Sequence, residues 1–239
     1  FDAAWSIMAA YAGFAALFFK WLKPEVPFLL TLQEGDPKSH ILRRVGIFYP
    51  LFKQIFKKAD TVQVISVYLA DFATAMGHKK KIHVIPNGVD ISVFAKNISE
   101  RELGVLRWNL HKQTDDIFLV TTSRLVKKNA VADVINALPL LSERVKFLII
   151  GTGELEDDLK KLAHDLGVEK RVIFQGFVDH KDIVQYLKIS DVFIRPSLSE
   201  GMGNSFVEAM AGGLPVIATP VGGIVDFLTD METGLFCKV

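Results

Sequence analysis

DVFIRPSLSEGMGNSFVEAMAGGLPVIATPVGG, residues 191–223, reads as strand, loop, helix, turn and strand in quick succession. An apolar, β-branched run at 191–197 enters a loop holding Glu200, where Gly201 and Gly203 free the backbone to present N–H groups. A helix then starts near Asn204 and carries Glu208 on its first turns. A second short strand, 215–220, leads to Gly222 and Gly223. Two strands joined through a helix in so few residues make a parallel crossover unit, the building block of α/β folds. Eight residues of continuous helix would leave Glu200 and Glu208 well apart along the axis. With Glu200 on the loop instead, both carboxylates can converge on one elongated ligand.

Outward from this stretch the same alternation recurs. Strand-like runs at 27–32, 61–66, 82–86, 117–123, 145–151 and 171–176 are separated by longer helical patterns. Leu155, Leu159, Leu162, Ala163 and Leu166, for example, repeat at helical spacing and stop at Gly167. The expected fold is α/β, with parallel sheets covered by helices on both faces. Between Asn87 and Asp116 the pattern lapses into a polar stretch rich in turn residues. The expected organisation is the rear part of one Rossmann-like domain at 1–88, a linker at 89–115 and a second Rossmann-like domain at 116–239. The chain opens on Phe1 and closes on a strand-like TGLFCKV, so the first domain is expected to be incomplete at its front and the second to want its last helices.

Composition narrows the function classes. Half of the 239 residues are apolar, enough for a sizeable core. The formal charge is +1, with acids and bases interleaved, and this offers no footprint for nucleic acid. A single cysteine, Cys237, rules out an internal disulfide and fits a reducing compartment. The opening run FDAAWSIMAAYAGFAALFFKWL is about as long as a bilayer span. It is alanine-rich, carries Asp2 and Ser6, and leads straight into a buried strand, so a buried helix of the α/β domain is the expectation.

In open α/β sheets ligands gather at the carboxyl ends of strands. There, Gly151 and Gly153 allow a sharp turn or a close approach to a ligand. Arg124, with Lys127 and Lys128 just after it, can neutralise a phosphate or form a solvated basic turn. Backbone amides where a helix starts, as at Gly203 and Asn204, suit an anion. A carboxylate beside them suits sugar hydroxyls.

Together these residues resemble the retaining GT-B glycosyltransferases of glycosyltransferase family 4. The likeness rests on Glu200 and Glu208 eight apart, AMA at 209–211, GLPVIAT at 213–219, Gly222–Gly223, VIPNGVD at 84–90, FQGFV at 174–178 and TGLF at 233–236. It implies a GT-B fold of two Rossmann-like domains. It also implies transfer of a hexosyl group, with retention, from a nucleotide diphosphate sugar to a glycan or lipid-linked acceptor. Arg124 and Lys128 would hold the diphosphate, helped by the backbone of Gly201, Met202, Gly203 and Asn204. Glu200 would meet the donor sugar, Glu208 the ribose, the backbone near Phe177 and Val178 the base, and Gly153 the donor. No cofactor and no metal site are implied, the nucleotide sugar being a co-substrate.

Two departures from the pattern matter. The family reads Arg-Leu-Val, two residues, Lys-Gly, whereas this chain has Asn129 and Ala130 at the last two positions. Either Lys128 supplies the cation from one residue earlier or Asn129 does a weaker version of the task; a cation offsets a leaving diphosphate better than an amide. Histidines frequent near the family's acceptor are missing, and Gln33 stands where one would be. Gln33, Glu34 and Asp36, at the end of the 27–32 strand, then either read acceptor hydroxyls or solvate the loop.

The stretch 40–58 carries Ile41, Val45, Phe48, Phe52 and Phe56 among five basic residues. It reads either as a core-facing helix broken near Pro50 or as one that lies on an anionic membrane. The implied location is the cytoplasm or the cytoplasmic face of the membrane. The alternatives are a sugar-nucleotide epimerase of the same architecture and a non-catalytic sugar-nucleotide-binding module.

Overall fold

The computed structural model describes residues 1–94 and 96–238, and the chain forms two compact units. The first unit joins residues 1–87 to two later segments, 199–203 and 221–227. Its elements are β1 (Ala4–Ile7), α1 (Ala12–Leu22), β2 (Phe28–Leu32), α2 (Lys38–Val45), α3 (Tyr49–Lys58), β3 (Thr61–Val64), α4 (Val67–Ala75) and β4 (Ile82–Val84). The strands form one parallel sheet in the order β1-β2-β3-β4. Its core is aromatic. Phe52, Phe56 and Phe72 are buried and meet edge to face, with centroids 5.1 and 5.7 Å apart.

The opening run is not one buried helix: residues 4–7 pair in register with 28–31 of β2, and α1 starts only at Ala12. Alanine content favours a helix locally, but the strand is decided by its partner. Ser6 is buried and Trp5 Nε1 donates to Thr31 Oγ1 at 2.9 Å. Within α1 only Gly13 and Leu17 are buried. Among the described residues no helix is long and apolar enough to cross a membrane. The break expected near Pro50 falls at Gly46, at φ 51°, and a short 3-10 turn over 46–48 follows it. Pro50 sits in the first turn of α3, where a missing N–H leaves no helical bond unmade.

The second unit joins residues 88–198, 204–220 and 228–239. It contains α5 (Ile91–Phe94), α6 (Glu100–Asn109), β5 (Ile117–Thr122), α7 (Val131–Ala137), β6 (Val145–Ile150), α8 (Glu156–Asp165), β7 (Val172–Gly176), α9 (His180–Lys188), β8 (Val192–Arg195), α10 (Asn204–Ala211), β9 (Val216–Ala218) and β10 (Leu235–Phe236). All pairings are parallel, in the order β10-β9-β8-β5-β6-β7. Strand order reverses between β5 and β8, which makes their carboxyl ends a switch point of the doubly wound type. Phe147, Leu148 and Ile149 of β6 are fully buried, as a central parallel strand covered on both faces requires. The stretch 89–115, expected as a linker, holds α5 and α6 and groups with this unit. A capping box between Ser99 and Glu102 starts α6.

In the first unit Asp60 ties the amino ends of β2 and β3 together. It accepts the Phe28 N–H at 2.9 Å, Lys20 Nζ at 2.7 Å and Lys80 Nζ at 3.0 Å. Burial opposes the carboxylate's charge, but the bonds from Lys20, Phe28 and Lys80 prevail and lower its pKa from 3.8 to about 2. A depressed carboxyl stabilises the fold above its unfolded pKa, and that contribution is lost as pH falls through the folded value. Asp60→Asn is therefore expected to be less stable than the wild type at pH 7 in denaturant titrations, with the gap closing between about pH 4 and pH 2. An equal gap at both ends of that range would contradict the assignment.

Candidate functional site

At the switch point the turns after β5 and β6 lie against each other. The Ser123 N–H donates to the Ile150 carbonyl at 2.9 Å, the Leu125 N–H to Thr152 at 3.0 Å and the Leu155 N–H to Leu125 at 3.1 Å. A Cβ on Gly151, which sits at φ 133°, would lie 2.0 Å from the Ser123 carbonyl oxygen. One on Gly153 would lie 2.4 Å from that of Leu125. Both glycines thus serve the close packing of two backbones; Gly153 is exposed and does not line the cavity described next.

Above these turns opens a cavity of about 300 Å³, lined by Thr122, Ser123, Arg124, Ile150, Gly151, Thr152, Phe177, Val178, Ile183, Ser205 and Glu208. Ser123 Oγ is buried and meets no hydrogen-bond partner among the described residues. Behind the cavity the buried Arg195 links the ends of β8 and β5. Its Nη1 donates to the Thr122 carbonyl at 3.2 Å, its Nε to Ser197 Oγ at 3.1 Å, and its guanidinium lies 4.4 Å from the centre of the Phe206 ring. A larger hollow, about 390 Å³, lies at the amino ends of β8 and β9. Strand amino ends carry no crossover helix N-termini, so the smaller cavity is the better ligand site.

Arg124 is exposed on the cavity wall. Its carbonyl accepts Asn129 Nδ2 at 2.7 Å, and Asn129 is buried. The amide therefore closes the 124–130 turn from inside. Lys128 is half-buried, and its carbonyl accepts the Leu198 N–H at 2.7 Å. Ala130 follows in the left-handed region, at φ 51° and ψ 36°. The turn keeps a backbone suited to glycine although the residue is alanine. Lys127 lines a separate apolar hollow of about 220 Å³ beside Leu155 and Leu159.

Glu208 lies one turn into α10, its side chain 12% exposed, and its Oε1 is 2.9 Å from His180 Nε2. The buried Phe94 meets the imidazole edge to face, with ring centroids 5.8 Å apart. His180 and Ser123 were legible only as a histidine opening a helix and a serine closing a strand, each at the carboxyl end of a strand. Neither stood out from many such residues.

The remaining candidates lie in the first unit. Glu34 is buried; its Oε1 accepts the Ala9 N–H at 2.7 Å and its Oε2 the Gln33 N–H at 3.0 Å. Burial pushes its carboxyl above 4.5 against those bonds. Glu34 thus joins the turn after β1 to the turn after β2, while Gln33 is exposed and Asp36 half-buried. Gly201 rests on this second turn: a Cβ there would lie 2.5 Å from the Glu34 carbonyl. Ser199 Oγ donates to the Gly35 carbonyl at 3.2 Å. Glu200 and Met202 are buried, and Gly203 takes φ 85°. Gly222 and Gly223 complete the stack, with Cβ positions 1.7 Å from the Glu200 carbonyl and 2.1 Å from that of Gly201. Asp226 Oδ2 accepts the Val67 N–H at the start of α4, at 2.7 Å. The structure thus brings Arg124, Phe177, Val178 and Glu208 to one cavity of the second unit. In the first unit it lays Ser199 and Gly201, with Glu200 between them, on the Glu34–Gly35 turn. Asn204 is the exposed first residue of α10. Among the described residues no group of three His, Cys, Asp or Glu is arranged to hold a metal ion.

The sequence profile described as "Glycosyl transferases group 1" matches residues 105–239, and that described as "Glycosyltransferase Family 4" matches residues 3–93. The chain belongs to the glycosyl transferases group 1 family. A relative, the GDP-mannose-dependent alpha-(1-6)-phosphatidylinositol monomannoside mannosyltransferase of Mycobacterium tuberculosis, is 32% identical over 82% of this chain and 50% of its own length. The alpha-monoglucosyldiacylglycerol synthase of Streptococcus pneumoniae is 32% identical over 76% of this chain and 42% of its own. The chain thus spans about half the length of these relatives. In fold it is similar to Anabaena HepE, solved with UDP and glucose, at a TM-score of 0.87 and 22% identity over 100% of this chain and 64% of that one. It is also similar to sucrose-phosphate synthase from Thermosynechococcus elongatus, at a TM-score of 0.84 and 20% identity over 100% of this chain and 61% of that one. The GT-B type of α/β fold expected from the sequence is therefore the fold found.

Alanine in the left-handed region costs roughly 1–2 kcal/mol, and glycine returns part of that gain as backbone entropy in the unfolded chain. Ala130→Gly is accordingly expected to raise stability by about 0.5–1 kcal/mol in chemical denaturation. A loss of stability would show that the Ala130 methyl matters more than its backbone strain.

Proposed function

We propose that the full-length protein is a retaining hexosyltransferase that uses a nucleotide diphosphate sugar. The observation that supports this most directly is the cavity at the switch point, which presents Arg124 and Glu208 together beside the first turns of α10. Arg124 and Lys128 would neutralise the diphosphate and Glu208 would accept the ribose hydroxyls. Phe177 and Val178 would border the base, with Glu200 on the sugar and the Gly201–Asn204 backbone on the phosphates. In the transfer, the bond between the sugar's anomeric carbon and the phosphate oxygen breaks and its electron pair leaves with the diphosphate. The acceptor hydroxyl adds on the same face and its proton passes to a phosphate oxygen. Fixed cations and amides accelerate this step by meeting the charge that develops on the leaving group. Support for a nucleotide sugar donor comes from the family and from HepE, solved with UDP and with UDP-glucose.

The acceptor in this reading is a glycan or a lipid-linked sugar at an anionic membrane surface. In the first unit the exposed rings of Phe18 and Trp21 meet at 5.3 Å between centroids, and the exposed Phe48 meets the half-buried Phe14 at 6.4 Å. Arg44 lies 5.0 Å from the centre of the Tyr11 ring and Lys53 5.7 Å from that of Tyr49. Aromatic rings edged with cations suit a headgroup layer.

Full-length protein titrated with UDP-, GDP- and ADP-sugars is expected to bind one class, with Glu208→Ala weakening it more than about tenfold and Lys128→Ala cutting turnover by about a hundredfold. The product should keep the donor's anomeric configuration by NMR. Failure to bind any donor would refute the reading, and binding with neither transfer nor donor hydrolysis would make the protein a binding module. Vesicles containing phosphatidylglycerol should retain the full-length protein better than neutral ones, with Arg43→Glu/Arg44→Glu removing the difference. Equal retention on both would refute the membrane contact.

A further inference from the structure

We propose that His180 is a positioning residue for Glu208, which holds that carboxylate in the orientation that reads a ribose and so gives the site its preference for ribonucleotides. The inference rests on the reading of Glu208 given above and extends it to a residue outside the family pattern described for this chain. An ionised carboxylate only accepts hydrogen bonds, so the 2.9 Å contact between His180 Nε2 and Glu208 Oε1 requires the proton on Nε2. Glu208 alone has rotational freedom about its terminal torsion, which is broad and roughly two-fold. A donor fixed on Oε1 removes that freedom and assigns Oε2 to the ligand.

His180 is itself held. It is the first residue of α9, and the buried Phe94 from α5 meets its ring edge to face. α5 packs on both α9 and α10, so the imidazole is braced by the same short helix that touches the helix carrying Glu208. The arrangement is asymmetric: the His180 side chain is 65% exposed and that of Glu208 12%. Replacing His180 therefore disturbs little core, while its partner stands on the cavity wall. A charge-assisted hydrogen bond of this kind is worth more than a neutral one, and its loss should be felt where the carboxylate meets a hydroxyl.

The chemistry that distinguishes this role is in the ligand. Two hydroxyls of a ribose can donate to a carboxylate, and a 2′,3′-dideoxyribose has neither. UDP, GDP and ADP and their 2′,3′-dideoxy counterparts are titrated by calorimetry into the full-length wild type, His180→Ala, His180→Gln and Glu208→Gln. For the nucleotide that binds, His180→Ala is expected to weaken the ribonucleotide roughly fivefold or more and leave the dideoxynucleotide unchanged. His180→Gln, whose amide can donate from a comparable position, should recover most of the loss. Glu208→Gln should reduce the wild type's preference for the ribonucleotide. If Glu208→Gln reduces that preference and His180→Ala does not, or if His180→Ala weakens both ligands alike, the positioning role is overturned and the reading of Glu208 stands. If Glu208→Gln leaves the preference intact, the reading of Glu208 falls and this inference with it. Binding of none of the three nucleotides would overturn both.

Discussion

Two backbone turns at the carboxyl end of the second sheet approach so closely that no side chain fits between them. Gly151 would place a methyl 2.0 Å from the Ser123 carbonyl oxygen, and Gly153 one at 2.4 Å from that of Leu125. The hydrogen bonds that run between the turns depend on this approach. So does the placement of Arg124, which projects from the upper turn onto the cavity wall. Substitution at either glycine would part the turns and remove the floor of the site. The strand reversal between β5 and β8 opens the crevice, and the laminated turns give it a rigid base.

The first unit repeats the device with three strips of backbone. The Gln33–Gly35 turn, the Glu200–Gly201 segment and the Gly222–Gly223 turn lie one upon another, at spacings only glycine allows. Glu34 anchors the first strip through the Ala9 and Gln33 N–H groups, and Asp226 anchors the last to the start of α4. Gly201 of the EGMG loop is thus explained first by packing, and Gly203 by its φ of 85°. A buried carboxylate that bonds two backbone N–H groups acts chiefly as an internal tie. Glu34 is better described in that role than as a group that reads an acceptor.

How much of this was legible in the sequence depends on where the deciding interaction lies. Strands such as β5 and β6 are continuous buried apolar runs, and α10 follows a glycine loop, so local pattern and final structure agree. β1 was missed because AWSI sits in an alanine-rich run whose strand state comes from pairing with β2, 24 residues later in register. The linker reading of 89–115 failed for a related reason. Its polar composition concealed two short helices, α5 and α6, that belong to the second unit and pack on α9. Arg124, Phe177, Val178 and Glu208, expected from a motif, line one cavity of the second unit. His180 carries no pattern, since its partner is 28 residues away. The choice between Lys128 and Asn129 stays open in the sequence, because the bond from the Asn129 amide to the Arg124 carbonyl inside the turn is a contact only coordinates reveal.

The central claim is that a nucleotide sugar occupies the carboxyl-end cavity of the second unit. Hydrogen–deuterium exchange of the full-length protein, with and without saturating donor, tests it most directly. Slower exchange is predicted for the amides of 123–128, 151–152, 177–178 and 204–208. Unchanged exchange there, with protection instead around Val216, Ile217 and residues 231–235 at the opposite end of the sheet, would contradict the account.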